Sequence, residues 1–118
     1  SSEAVLTISK ALCPSTVTEN GEVTYTFVIQ NTGNTAAVAA DNASVTDTFN
    51  PILNGLSVTF NGTAWTLVDD YAYNTATGEF ATVPGKITVP AATFTQDTET
   101  GVYTITPGTA ILTVKGTI

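Results

Sequence analysis

The side chains able to do chemistry in this chain are few and mostly of one kind. It has no His, no Arg and no Met, a single Cys, and ten Asp and Glu in 118 residues. Without His, the Ser–His and Cys–His nucleophile systems cannot be assembled. Zinc sites built on His or several Cys are excluded with them, and no Gly-rich phosphate loop is present. Carboxylate chemistry remains. Two carboxylates flanking a sugar can hydrolyse a glycoside, and Asp47, Asp69, Asp70, Asp97 and Glu99 are the candidates, yet no spacing groups them. Adjacent Asp69 and Asp70, alternating on a strand or sitting in a turn, are expected to diverge. Calcium is the other possibility. "DTETG" places Asp97 and Glu99 two apart before Gly101, whereas calcium needs about 6–8 oxygens.

The remaining candidates are a thiol and three rings. Cys13 precedes Pro14 near the end of a predicted strand. It is either a small, half-buried hydrophobe or, with no partner in the chain, the source of an intermolecular disulfide. Trp65, Tyr71 and Tyr73 fall within one stretch and could stack on a sugar. The competing reading puts them in and around the core of a small β domain.

Charge narrows the partners. The net charge is −7, with Lys10, Lys86 and Lys115 as the three cations. Phosphate backbones are bound by clustered Lys and Arg, so no nucleic-acid partner is expected. An anionic membrane surface repels such a domain. No stretch has the apolar length of a membrane span, so no membrane insertion is expected. "SSEAVLTI" lacks the basic region of a signal peptide, so an exported form would be the mature one.

The elements that must position these residues are strands. Thr makes up about a fifth of the chain and Val is frequent, and β-branched residues suit a pleated surface. "EVTYTFVIQ" alternates Val23, Tyr25, Phe27 and Ile29 against Thr24, Thr26, Val28 and Gln30, the period of a strand with one face on a core. "NTGN" ends it in a turn. "AVLTIS" reads as the first strand, "CPSTVTENGE" as a loop, "AAVAADNAS" as an irregular link and "SVTDTF" as a short strand. "LSVTFNGTAWTLV" is a hairpin closed by Asn61-Gly62, the preferred pair for a two-residue type I′ turn.

One pattern occurs twice. "NTATGEFATVPG" at 74–85 returns as "DTETGVYTITPG" at 97–108. Asn or Asp opens each turn by bonding backbone ahead of it, and Gly78 and Gly101 supply the positive φ that the loop needs. Pro84-Gly85 and Pro107-Gly108 are expected to end the following strands, with "KITV" and "AILTV" starting the next. The echo reads as a strand–hairpin–strand unit used twice. The turn chemistry accounts for both copies, whereas a calcium reading accounts for one. Short strands separated by turn signals every 8–12 residues or so predict an all-β, antiparallel two-sheet sandwich of immunoglobulin-like type, one domain over residues 1–118.

"ISKALCPSTVTENGEVTYTFVIQNTGN" followed by "VTDTFNPIL" resembles the bacterial surface-repeat family known as a conserved domain of unknown function, the eleventh so numbered. The likeness covers the first half of the chain, and the second half is similar to variants in anaerobic Gram-positive bacteria. The resemblance implies an immunoglobulin-like sandwich, export, and use as a stalk or repeat in cell-surface, fibrous or spore-coat proteins. Some related surface sandwiches lock themselves with a Lys–Asn isopeptide bond beside a catalytic acid. By that resemblance Lys10 and Asp47 would be the Lys and the acid, while the final strand "ILTVKGTI" contains no Asn.

These readings predict a non-catalytic extracellular structural module, without a cofactor, on a bacterial cell or spore surface. It would be a stalk repeat or a self-assembling filament subunit. Its partners would be copies of itself or adjacent repeats, joined through sheet edges or the terminal strands "SSEAVLTIS" and "AILTVKGTI". The alternative is an adhesin or carbohydrate-binding module that meets a surface glycan or host protein through exposed aromatics.

Overall fold

The computed structural model describes residues 3–13 and 20–118. Pro14 and most of the loop expected around it lie outside the described residues, as do the two serines that open "SSEAVLTIS". The described part is all-β. Ten strands follow one another: β1 (Leu6–Cys13), β2 (Glu22–Asn31), β3 (Thr46–Thr48), β4 (Asn54–Phe60), β5 (Thr63–Ala64), β6 (Tyr71–Tyr73), β7 (Glu79–Thr82), β8 (Thr93–Gln96), β9 (Tyr103–Thr106) and β10 (Gly108–Thr117). Every named strand pairing is antiparallel.

A five-stranded sheet in the order β1-β2-β10-β4-β5 packs against a three-stranded sheet, β3-β7-β6. The alternation in β2 explains why. Val23, Tyr25, Phe27 and Ile29 are buried, and the residues between them face outward. β10 repeats the pattern with Ala110, Leu112 and Val114, none of which is exposed. Cross-strand register assembles these residues into rows. Val58, Val114, Tyr25 and Leu12 form one row, and Phe60, Leu112, Phe27 and Lys10 the next. The smaller sheet answers with Tyr71 and Phe80, and Phe49 sits between the layers. The Phe49 ring lies 4.7 Å from Tyr25 and 5.7 Å from Phe80. The result is the antiparallel sandwich of immunoglobulin-like type that the strand pattern predicts.

Turn chemistry holds where the sequence placed it. Asn61 and Gly62 have φ of 51° and 84° and join β4 to β5. The two echoed turns make the same set of hydrogen bonds. Asn74 Oδ1 accepts from the N–H groups of Ala76 and Thr77, and Asp97 Oδ1 from those of Glu99 and Thr100. Gly78 N donates to Asn74 O at 2.8 Å, and Gly101 N to Asp97 O at 2.7 Å.

Three expectations need correction. "KITV" is not a strand: Pro84 and Pro90 bracket it, and Val89 makes only an isolated bridge to Ala37, although Ile87 and Val89 are buried. Pro107 ends β9 as expected, but the next strand starts at once, two residues ahead of "AILTV". Gly108 opens β10, which is longer than "AILTV". A side chain at Gly108 would strike the carbonyl of Pro90, so only Gly lets β9 pass into β10 there. Asp69 and Asp70 do not diverge, because both sit in a turn and accept from the Thr66 hydroxyl, at 3.4 and 3.3 Å.

Candidate interaction surfaces

The five-stranded sheet is wider than the sheet facing it, and the surplus is β1. Its backbone pairs with β2 along all eight residues, so Leu6, Ile8, Lys10 and Leu12 share the core-facing side with Asn31, Ile29, Phe27 and Tyr25. Yet all eight residues of β1 are exposed. Ile8 is 54 % exposed, whereas its neighbour in the row, Ile29, is 3 % exposed. An apolar row continues from the core onto β1 and is left uncovered there. β3 is the edge of the opposite sheet, and a cleft runs between the two. One part, of ≈ 130 Å³, is lined by Leu6, Ile8, Ile29, Val45 and Ile87 among others. Another, of ≈ 200 Å³, is lined by Ile8, Lys10, Phe27 and Asp47 among others.

Lys10 and Asp47 meet across this cleft. Lys10 Nζ donates to Asp47 Oδ2 at 2.8 Å and lies 5.3 Å from the centre of the Tyr25 ring. The two residues singled out for an isopeptide bond are thus together, as an exposed ion pair on the open side of the sandwich. Such pairs contribute at most about 1 kcal/mol. The pair also leaves the middle of the cleft without net charge.

The second surface is the β8–β9 hairpin. Its strands form their own two-stranded sheet, and all eight of their residues are exposed. The register puts Phe94 opposite Ile105 and Gln96 opposite Tyr103, with Thr93, Thr95, Thr104 and Thr106 on the other face. One face is therefore all threonine. The other carries Phe94, Tyr103 and Ile105, which are 46, 64 and 54 % exposed. An isolated two-stranded hairpin is marginal in water, and an apolar face without a partner marks a place where something binds.

Asn31 ties both surfaces to one end of the fold. It is wholly buried. Its Oδ1 accepts from Val5 N at 3.0 Å and Gly33 N at 2.9 Å. Its Nδ2 donates to Thr35 O at 2.8 Å and Pro90 O at 3.2 Å. All four hydrogen-bonding valences of the amide are filled, linking the approach to β1, the "NTGN" turn and the root of the hairpin.

The other candidates are dispersed. Tyr71 is 5 % exposed and packs on Phe80, and burial raises its phenol pKa. The Tyr73 hydroxyl accepts from Leu53 N and donates to Leu53 O. Trp65 is half-buried and stacks on Phe60 at 5.0 Å. The three rings serve separate contacts and form no platform, which corrects the sugar-stacking expectation for Tyr71 above all. Asp97 spends Oδ1 on its own turn, and Glu99 is exposed beside it. No group of three or more His, Cys, Asp and Glu within reach of one metal ion occurs among the described residues. Cys13 ends β1 and is exposed, so its half-buried reading does not hold. Asp70 has a perturbed carboxyl. The backbone N–H of Thr66 holds its carboxyl below the usual value; desolvation opposes this, and the Lys86 ammonium and the Thr66 hydroxyl reinforce it.

The sequence points to the first strand, "SSEAVLTIS", as a joining edge, but neither the uncovered apolar face of β1 nor that of the hairpin is read from it. The signal was present as apolar alternation with few charges in "LTISKALC" and "TFTQ…YTIT", but the same signal marks core strands. Comparison of the chain with family models, with curated proteins and with solved structures finds no match.

Proposed function

We propose that this chain is a secreted, non-catalytic structural module of a bacterial cell or spore surface, joined to copies of itself or to adjacent repeats through a terminal strand or a sheet edge. The observation that carries the reading is β1. A strand at the sheet edge has one row of backbone N–H and C=O groups unpaired, and proteins usually blunt such edges. Here the edge strand also exposes apolar side chains aligned with the core rows. That combination is what strand addition uses: backbone bonds for affinity and alternate side chains for specificity. The net charge of −7 keeps separate copies soluble until a specific contact forms.

Negative-stain electron microscopy of the purified chain at high concentration, with and without reductant, tests the proposal. Ordered fibres or chains are expected, and their loss under reductant would give Cys13 the linking role. Isolated particles at every concentration, together with a monomer mass by light scattering, would sink the reading.

A further inference from the structure

We propose that the β8–β9 hairpin of one copy docks in the β1–β3 cleft of a second copy, with its apolar face inward and one of its strands paired to the free edge of β3. The inference rests on the assembly reading above and names the joint.

Three observations lead to it. The sandwich is unbalanced, with five strands facing three, and of the two exposed edge strands of the larger sheet β1 is the long one, eight residues against two in β5. A two-stranded hairpin beside β3 would bring the smaller sheet to five and cover Leu6 and Ile8. The chain also holds one unattached two-stranded element with one apolar face, and that element is the hairpin. Its side-chain rows and those of β1 both repeat at about 7 Å, two residues of extended chain. The third observation is charge. β8 and β9 carry no charged residue, and the one charge of β1, Lys10, is paired with the one charge of β3, Asp47, so the joint brings together surfaces free of the acidic excess of the rest of the chain.

The occupant must come from another copy. β9 passes through Pro107 into β10, and Gly108 is paired with Asn31 at the end of β2. All eight strand residues of the hairpin are exposed, so it does not occupy its own cleft. Folding back would break the Gly108 pairing and its close approach to Pro90 O. The exposed parts of Phe94, Tyr103, Ile105, Leu6 and Ile8 amount to on the order of 500 Å² of apolar surface. Edge pairing along the three residues of β3 adds to this, giving a joint below the ~1,000 Å² of a stable specific interface and therefore one that forms at high protein concentration. Arm and cleft are different surfaces of one chain, so the contact is heterologous and repeats into a filament unless it closes a ring.

Complementation tests this in the full chain, with reductant present to silence Cys13. One variant loses the arm (Phe94→Thr, Tyr103→Thr and Ile105→Thr, matching the opposite face), and the other blocks the cleft (Ile8→Glu). All these positions are exposed, and near-ultraviolet circular dichroism from the Trp65–Phe60 stack checks that each variant is folded. Sedimentation velocity at high protein concentration should find assemblies for the wild type and monomers for each variant alone. An equimolar mixture should give dimers and nothing larger, because it offers one working arm and one working cleft per pair. Assembly by the armless variant would overturn the proposed joint and leave strand exchange through β1 to carry the assembly reading. Monomers in the mixture would likewise overturn the joint. A wild-type chain that remains monomeric would overturn both readings.

Discussion

Replacing Asn31 with Asp changes one side-chain nitrogen to oxygen, with almost no change in shape. The two bonds that Oδ1 accepts, from Val5 N and Gly33 N, can persist. The two that Nδ2 donates, to Thr35 O at 2.8 Å and Pro90 O at 3.2 Å, cannot, and each is worth about 1 kcal/mol net. Both carbonyls then face a carboxylate oxygen at a site with no solvent exposure, which adds the ~1–3 kcal/mol of a mismatched buried polar group. The expected loss at pH 7 is roughly 3–5 kcal/mol, a large part of a stability of about 5–15 kcal/mol. The sign of the pH dependence follows from the same contacts. Burial against two carbonyls raises the native pKa of the introduced carboxyl above its unfolded value. Above that raised value the carboxyl is ionised in both states and the full penalty applies. As pH falls through it, the native state takes up a proton, and below the unfolded value of about 3.9 the ionic part of the penalty is gone. Urea unfolding followed by Trp65 fluorescence, at pH 7 and pH 4 for variant and wild type, measures the difference. A loss below about 1 kcal/mol at pH 7, or one that does not shrink on acidification, would refute the account of Asn31.

The echoed turns offer an internal control. Gly78→Ala and Gly101→Ala both force Ala into positive φ, at 80° and 75°, but a Cβ at 78 strikes Phe49 O, while at 101 its nearest neighbour is Gln96 Nε2 at 4.0 Å. Thermal unfolding should show G78A costing about 3 kcal/mol, and G101A, in a hairpin detached from the core, less than about 0.5 kcal/mol globally. Val68 holds φ of 76° while 78 % exposed, an outlier for a β-branched residue, so Val68→Gly should stabilise the domain by about 1 kcal/mol in the same assay. Asp70 has a lowered pKa, so its stabilising effect is complete above the ordinary value of 3.8 and fades as pH falls through the lower native value. Asp70→Asn should therefore be less stable than wild type at neutral pH, with the gap closing in strong acid, as read by urea midpoints across pH.

Local structure was legible wherever a pattern and a turn signal agreed. β2 is the clearest case, since its four apolar residues alternate over a full strand and end at "NTGN". Asn61-Gly62 and the echoed Asn74 and Asp97 turns were legible because the backbone angles demand those residue types. "KITV" misled because Ile87 and Val89 are buried by loop packing, which alternation alone does not distinguish from a strand. Tyr71 and Tyr73 point to the same side of β6, but the depth of each depends on Phe80 of β7 and on Leu53, just before β4. The openness of β1 was illegible for a deeper reason. Leu6 and Ile8 alternate as Phe27 and Ile29 do, and what separates the pairs is whether a second sheet lies opposite. That depends on strand order, a long-range property that no window of sequence contains. Phe94, Tyr103 and Ile105 were unreadable on the same grounds.

The connection from β9 into β10 has a mechanical consequence. One residue, Pro107, separates the two strands, and β10 is paired with β2 over ten residues and with β4 on its other side. Tension applied at the hairpin enters the middle strand of the large sheet lengthwise. Hydrogen bonds between antiparallel strands lie across the strand direction, so this tension loads them in shear, all at once. A force that peels β1 from β2 breaks the same kind of bond one pair at a time. The domain, whose extents are 57 × 32 × 20 Å, is therefore stiffest when pulled along the hairpin axis and weakest at its β1 edge, an anisotropy suited to a link in a chain under load.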